Sequence, residues 1–435
     1  MTNFIKGFIG YFLFIICFIY MTGQLSDPYV RHDEWEFMIY LLPDMPNHGT
    51  PWDKTLWEGR WINYLWSFIA RDFSVNANYL FFIIGYSLLC WSISSLFTEN
   101  LLYKFIISIS AFFCSAYADL SLWPATLSSS VWISFITLVL YKKYNKKIIL
   151  LFSLSILVMS YAPLIAPCMI FIMLLNNRGF KNLLKLSSTY YIGYIIGVFI
   201  VYYLNYKYHN FLGVKIADWR NPNPIHSFQD LYLNLKKTII FWRDLILENK
   251  LEILLSSTIL FIYILKENNT NKVINILVSL FSIVALESAL SIYTGVDIPT
   301  RAIIWPWFFF TAIVILALVY SNKMYIKLLG GVLALCLMLN GSERWYGFYS
   351  YESQHAKFEN VLGNILGSQS NDEVYLCGNA TKIKGLGNRE LKPLTLALWK
   401  KNGIYLKQAT EDECAQLNNI IGLQKINNKV FYKVE

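Results

Sequence analysis

The chain has 435 residues, 56% of them hydrophobic, 17% aromatic and only 15% charged, with a formal net charge of +9. With a mean hydropathy of +0.42, this composition excludes an ordinary soluble globular protein and a disordered one and points to a polytopic membrane protein. A hydrocarbon core takes roughly 20 apolar residues per helix, and runs of that order recur along the chain without the period-two alternation of a membrane barrel.

In chain order, the apolar runs predict helices over about residues 5–22, 78–97, 103–118, 128–141, 148–161, 164–177, 188–206, 251–266, 272–290, 303–321 and 326–341. The stretch "IILLFSLSILVMSYAPLIAPCMIFIMLL" exceeds one span, and Tyr161-Ala-Pro163 with Pro167 predicts a turn that divides it. The expected fold is therefore an all-α polytopic membrane protein with about eleven transmembrane helices. The first run follows only Lys6 and precedes no small-residue cleavage pattern, so it reads as an uncleaved anchor. With the N-terminus inside, the cytoplasmic connections carry Lys104; Lys142, Lys143, Lys146 and Lys147; Arg178, Lys181 and Lys185; Lys266 and Lys272; Lys323 and Lys327. Short cytoplasmic loops retain such residues. The positive charge is thus a topology signal, and nucleic acid is not an expected partner.

This orientation leaves outside the loop 23–77, the "ADLSLWP" turn, the connection 207–250 and the tail 342–435. The membrane domain is expected over 1–341. The tail shifts toward Asn, Lys, Glu and Gly, and "EVYLCG", "LTLALWKKNG" and "KVFYKV" predict a small α/β extracytoplasmic domain. Cys17, Cys90, Cys114, Cys168 and Cys336 fall in apolar helices as packing residues. Cys377 and Cys414 in the tail are either joined by an oxidising compartment or free. No CxxC or HExxH spacing marks a zinc site.

The chemistry-bearing residues gather outside. In "RHDEWEF", the adjacent carboxylates Asp33 and Glu34 repel one another, so one is expected to pair with a cation, a metal or a substrate proton; routine surface charge is the competing reading. The apolar residues around them form an amphipathic segment suited to a lipid-borne substrate. In "WEGRW", Gly59 allows close backbone approach and Arg60 offers donors matched to phosphate, while Arg60 beside Trp61 also reads as an interfacial anchor. Asp119 either walls the cavity or caps a helix. In "TGVDIPTRAIIWPW", Arg301 either holds a phosphate or pairs with Asp297, and Trp305 and Trp307 offer stacking faces. Glu287 is an intramembrane carboxylate, functional or hydrogen-bonded and structural. In the connection 207–250, Lys215, Asp218, Trp219, Arg220, His226 and Arg243 mix with aromatics, and an amphipathic helix is expected from about Ser227 to Leu247, either over a substrate or on the headgroups.

An inward N-terminus followed by an acidic pair in the first external loop resembles the GT-C superfamily, membrane glycosyltransferases that use polyprenyl-phosphate sugars. More narrowly, "HDEWEF", "WEGRWINYLW" and the length resemble the serotype-converting O-antigen glucosyltransferases of bacteria and temperate phages. The resemblance covers residues 1–340 and leaves the tail unmatched. It implies a GT-C-like fold in the bacterial inner membrane and transfer of a sugar, usually glucose, from undecaprenyl phosphate to O-antigen of lipopolysaccharide on the periplasmic face. Asp33 matches the catalytic carboxylate, with Glu34 as neighbour or substitute, and Arg60 matches the phosphate-facing position. Arg301 has no motif match and rests on its chemistry alone. Some relatives use a divalent cation and others none, so a metal stays open. No Walker or GxGxxG motif is present for a nucleotide donor. An O-antigen polymerase, a polytopic acyltransferase and a lipid-linked sugar flippase or transporter remain the alternatives.

Overall fold

The computed structural model describes residues 2–40, 49–177, 179–267, 270–299, 302–368, 373–386, 389–418, 420–426 and 429–434, with the backbone alone for 2–4, 115–117 and 219. Every predicted apolar run coincides largely with helix. The helices are α1 Thr2–Met21, α2 Trp35–Met38, α3 Pro51–Glu58, α4 Trp61–Ala70, α5 Val75–Phe97, α6 Leu101–Phe112, α7 Ser115–Leu120, α8 Pro124–Tyr144, α9 Lys147–Val158, α10 Ile165–Leu175, α11 Gly179–His209, α12 Phe228–Glu248, α13 Lys250–Lys266, α14 Thr270–Thr294, α15 Trp305–Ile315 and α16 Met324–Gly367. Among the described residues five of them, α5, α8, α11, α14 and α16, are long and apolar enough to cross a membrane. The outer helices turn apolar side chains outward, with Phe199 68% and Phe281 73% exposed, as surfaces that meet acyl chains do. Between α9 and α10 the expected division occurs, as a single 3₁₀ turn at Ala162–Leu164.

Two expectations are corrected. The run 103–118 is not one helix: α6 stops at Phe112, and Tyr86 donates its hydroxyl to the carbonyls of Ala111 at 2.8 Å and Phe112 at 3.2 Å. Trp345 Nε1 donates to the Cys114 carbonyl at 3.0 Å, so the polar groups freed by the break have partners. Gly341 of α16 makes this crossing feasible, because a Cβ there would lie 1.8 Å from the Phe113 carbonyl oxygen. The second correction concerns the boundary at 341/342, which falls inside α16. This helix runs unbroken for 44 residues, about 66 Å at 1.5 Å per residue, roughly twice the hydrocarbon thickness. The polar stretch "NGSER" lies within this helix and does not end it.

The far end of α16 carries the tail domain. Leu362 and Leu366 pack with Val374, Leu376, Leu394, Leu398, Leu406 and Val430 in one apolar cluster. Strands β1 Glu373–Cys377, β2 Tyr405–Gln408, β3 Gly422–Ile426 and β4 Lys429–Lys433 form a sheet ordered β2-β1-β4-β3. Helix α17, Leu391–Asn402, is the crossover between the parallel pair β1 and β2, and β3–β4 is an antiparallel hairpin. The short helix α18, Glu411–Ala415, follows β2. The α/β expectation for the tail is met.

Cys377 and Cys414 are joined, closing a loop of sequence separation 37 that holds α17 and β2. Constraining a loop of that size in the unfolded chain is worth about 4 kcal/mol. Reduction by dithiothreitol is therefore expected to lower the thermal stability of the tail. Maleimide labelling of the denatured chain should reveal two extra thiols after reduction; an unchanged count would contradict the pairing.

Candidate active site

The loop after α1 is shaped by local signals. Thr50 caps α3 in a reciprocal capping box with Asp53, with Pro51 in the first turn. Gly59 ends α3 in the left-handed region at φ 69°, and a Cβ there would come within 2.8 Å of Val201. Its role is thus a helix stop pressed on α11, not an approach to a ligand. The Arg31 amide donates to the Leu122 carbonyl at 3.0 Å, pinning the loop to the turn before α8.

Glu34 and Asp33 then face opposite ways. Glu34 is fully buried and sits on the N-terminus of α8, where its Oε1 accepts from the amides of Ala125 and Thr126, the latter at 2.9 Å, and its Oε2 shares a hydrogen bond with the Thr126 hydroxyl. Burial pushes its pKa up to about 8 against the pull of those bonds. Asp33 instead lines a cavity of about 460 Å³ with Arg31, His32, Lys54, Glu58, Arg60, Leu120, Trp123, Leu127, Tyr161 and Arg220. Its Oδ2 pairs with Lys54 at 2.8 Å and its Oδ1 accepts from the Trp123 indole at 2.6 Å. Burial opposes ionisation, but the Lys54 ammonium, its hydrogen bond, the Trp123 bond and His32 together hold Asp33 well below the ordinary carboxylate range.

The cavity has four cations, Arg31, Lys54, Arg60 and Arg220, against two carboxylates. Glu58 gathers three of them, Arg60 at 2.6 Å, Lys54 at 3.4 Å and Arg220 at 3.5 Å, and despite burial these cations keep its carboxyl below its usual value. Arg31 is different. Its Nε is buried without a hydrogen bond, its guanidinium lies 5.8 Å from the Trp123 ring centre and 5.7 Å from that of Phe348, and it forms no ion pair among the described residues, the charge of Glu352 acting on it from farther off. A wall with excess positive charge and one uncommitted guanidinium suits an anion such as a phosphate.

The tail domain holds this loop. Leu396 and Ala397 of α17 share an apolar cluster with Val30, Trp35, Phe37, Met38 and Ile39. Lys392 pairs with Glu36 at 2.6 Å. Arg389 pairs with Glu359 of α16, donates to the Val30 carbonyl at 3.4 Å and lies 4.7 Å from the Tyr29 ring centre. Asp33 and Glu34 therefore lie between two segments fixed by the tail.

Of the residues singled out from the sequence, the structure brings Asp33, Arg60 and Arg220 together and places the others elsewhere. Glu34 faces α8 as described. Trp61 is buried behind the cavity, donating Nε1 to Asn205 at 2.8 Å. Asp119 is half-buried in α7 and is not in the wall, although its neighbour Leu120 is. Glu287 accepts from the Trp305 indole at 2.7 Å, and the Trp305 ring lies 5.6 Å from that of Trp242 on α12, a cluster apart from the Asp33 cavity. Trp307 is buried in the main apolar cluster of the helices. Asp297 pairs with Lys237 of α12 at 2.9 Å, both exposed; Arg301, its expected alternative partner or a phosphate ligand, lies outside the described residues. Sequence reasoning passed over Arg31, Lys54, Trp123 and Tyr161. The capping signature "TPWD" could have placed Lys54 on a helix facing the acidic pair.

Lys54 sets a pH dependence. In Lys54→Gln the main charge opposing burial at Asp33 is gone, so the Asp33 pKa rises. An activity that needs the Asp33 carboxylate is then expected to fail at higher pH on acidification. The wild-type rate should hold to well below pH 4, the ordinary carboxylate value, and the acid limb should move up in the variant. A pH–rate profile with an unmoved acid limb would contradict this role. Asp33 is a depressed carboxylate, so the stability it contributes is fully present above its unfolded pKa, near the ordinary value of about 4, and is lost progressively as the pH falls from there through the depressed folded value.

Comparison with family models, with curated proteins and with solved structures finds no match to this chain.

Proposed function

We propose that the chain is an inverting glycosyltransferase of the bacterial inner membrane that moves a sugar, glucose first among them, from undecaprenyl phosphate to O-antigen, thereby modifying the serotype. In this reading about eleven helices cross the bilayer, the N-terminus and the lysine-rich turns are cytoplasmic, and the Asp33 cavity and tail are periplasmic. The cavity stands beside the N-terminal end of α8, and Lys142 and Lys143 lie in its last turn, about 30 Å away over 21 residues.

The observation that carries the reading is a carboxylate, Asp33, paired with Lys54 at 2.8 Å and sharing one cavity with four cations, of which Arg31 forms no ion pair among the described residues and has its Nε buried without a hydrogen bond. The acceptor hydroxyl oxygen bonds to the anomeric carbon as the bond from that carbon to the phosphate oxygen breaks. The electron pair stays on the phosphate, facing Arg31 and Arg60, and the hydroxyl proton passes to Asp33. Attack opposite the leaving phosphate inverts the anomeric centre.

Donor binding provides a test. Undecaprenyl phosphate is expected to bind the purified protein, and Arg31→Gln should weaken it about tenfold to a hundredfold, since hydrogen bonds to charged groups are worth about 1.5–3 kcal/mol. Equal affinity in wild type and variant would remove Arg31 from the phosphate site. Product length separates transfer of one sugar from polymerisation, and label appearing across the bilayer still on lipid would mark a transporter.

A further inference from the structure

Beside the Asp33 cavity is a second, of about 300 Å³, lined among others by Asp53, Trp57 and Asp218. The two have Lys54, Glu58 and Arg220 as a common wall, and their charge differs in sign. The first sets four cations against two carboxylates; the second sets Asp53, Glu58 and Asp218 against Lys54 and Arg220, beside an indole. An anion is favoured by the first and disfavoured by the second. Carboxylate acceptors next to an aromatic face match a neutral polyhydroxylated ring, whose hydroxyls donate and whose C–H faces pack on the indole.

The walls are held in place. The capping box occupies Asp53 Oδ2, which accepts from the Thr50 amide at 3.2 Å and from its hydroxyl at 2.7 Å. Oδ1 takes no hydrogen bond among the described residues. The Lys215 amide donates to the Leu56 carbonyl at 3.1 Å, and the Lys215 ammonium lies 4.7 Å from the Trp57 ring centre, so the connection after α11 is tied to α3. Lys54 touches both Asp33, at 2.8 Å, and Glu58, at 3.4 Å, which puts the second cavity within one side chain of the base.

We propose that this second cavity is the acceptor subsite, taking a neutral saccharide against Trp57 with Asp53 and Asp218 as hydroxyl acceptors. The proposal rests on the transferase reading and specifies where its second substrate sits. From there a hydroxyl reaches past Lys54 toward Asp33, its oxygen bonding to the anomeric carbon and its proton leaving to the Asp33 carboxylate.

Equilibrium binding to the full-length protein in detergent tests this without turnover. The probes are neutral hexose and deoxyhexose oligosaccharides released from O-antigen, and undecaprenyl phosphate. Wild type is expected to bind at least one oligosaccharide. Trp57→Ala and Asp218→Asn should each weaken it about tenfold and leave the lipid affinity unchanged, Trp57→Phe should retain most of it, and Arg31→Gln should show the reverse pattern. If Trp57→Ala also loses the lipid it has misfolded, and Asp218→Asn and Trp57→Phe decide. Saccharide binding unmoved by Trp57→Ala or Asp218→Asn, or no binding of any oligosaccharide by wild type, overturns the subsite. Failure of the transferase reading looks different: saccharide and lipid both bind with the expected pattern, yet no sugar is transferred.

Discussion

Asp33→Asn is expected to lower the rate of sugar transfer by about a hundredfold to ten-thousandfold, the usual contribution of a positioned general base, with donor affinity retained and only the stability that the Lys54 ion pair contributes lost. The amide keeps the size of the side chain and can still accept from Trp123 Nε1, but it cannot take a proton. Glu34 should behave in the opposite way. With its pKa raised to about 8 it carries little charge near pH 7, one oxygen accepting from the Ala125 and Thr126 amides and the other from the Thr126 hydroxyl. In Glu34→Gln the amide oxygen keeps the bonds from the two backbone amides and its NH2 donates to the Thr126 hydroxyl once that hydroxyl turns, and transfer should stay near the wild-type rate. Glu34→Ala leaves the first amides of α8 unpaired and should cost about 1–3 kcal/mol of stability. Loss of transfer in Glu34→Gln with full transfer in Asp33→Asn would reverse the two roles.

Arg389→Met is expected to have the largest effect on stability. Arg389 is 6% and Glu359 1% exposed at their side chains, and breaking a buried ion pair from one side costs about 3–5 kcal/mol. The lower end applies, because Lys401 still pairs with Glu359 at 2.8 Å. The variant also loses the bond to the Val30 carbonyl, three residues before Asp33. A merely structural role would lower the melting temperature alone. Positioning of the loop predicts in addition that the surviving folded enzyme loses kcat with little change in donor affinity, and that protease cuts loop 23–77 faster. Arg389→Lys, which keeps the charge for Glu359, should recover most of the stability and less of kcat. Equal recovery of both would contradict a positioning role.

The apolar helices were legible because long, largely apolar runs without period-two alternation have few other uses, and the break at Tyr161 was legible because proline cannot continue a helix. The continuity of α16 was not, since "NGSER" looks the same whether a helix ends there or rises from lipid into water. The acidic pair was found, but neighbouring side chains on a chain turn point apart, and only the position of α8 shows which faces the cavity. Arg31 and Lys54 stood within the same loop. They went unremarked because an isolated cation has no motif, and its significance comes from having or lacking a carboxylate partner in three dimensions. The docking of α17 on the loop joins residues more than 350 positions apart, such as Lys392 and Glu36, and no local pattern records it. Glu287, Trp305 and Asp297 drew attention by their chemistry, yet the partners of the first two form a separate cluster and Lys237 holds the third.

Transfer itself decides the function. Radiolabelled glucose on undecaprenyl phosphate is supplied with O-antigen lipopolysaccharide to the protein in vesicles, and label is followed into the saccharide. Wild type is expected to transfer single sugars, Asp33→Asn not to, and Glu34→Gln to do so almost normally. Transfer undiminished in Asp33→Asn, or no transfer by wild type from any of several polyprenyl-phosphate sugars, would contradict the assignment of this cavity as a glycosyltransferase active site.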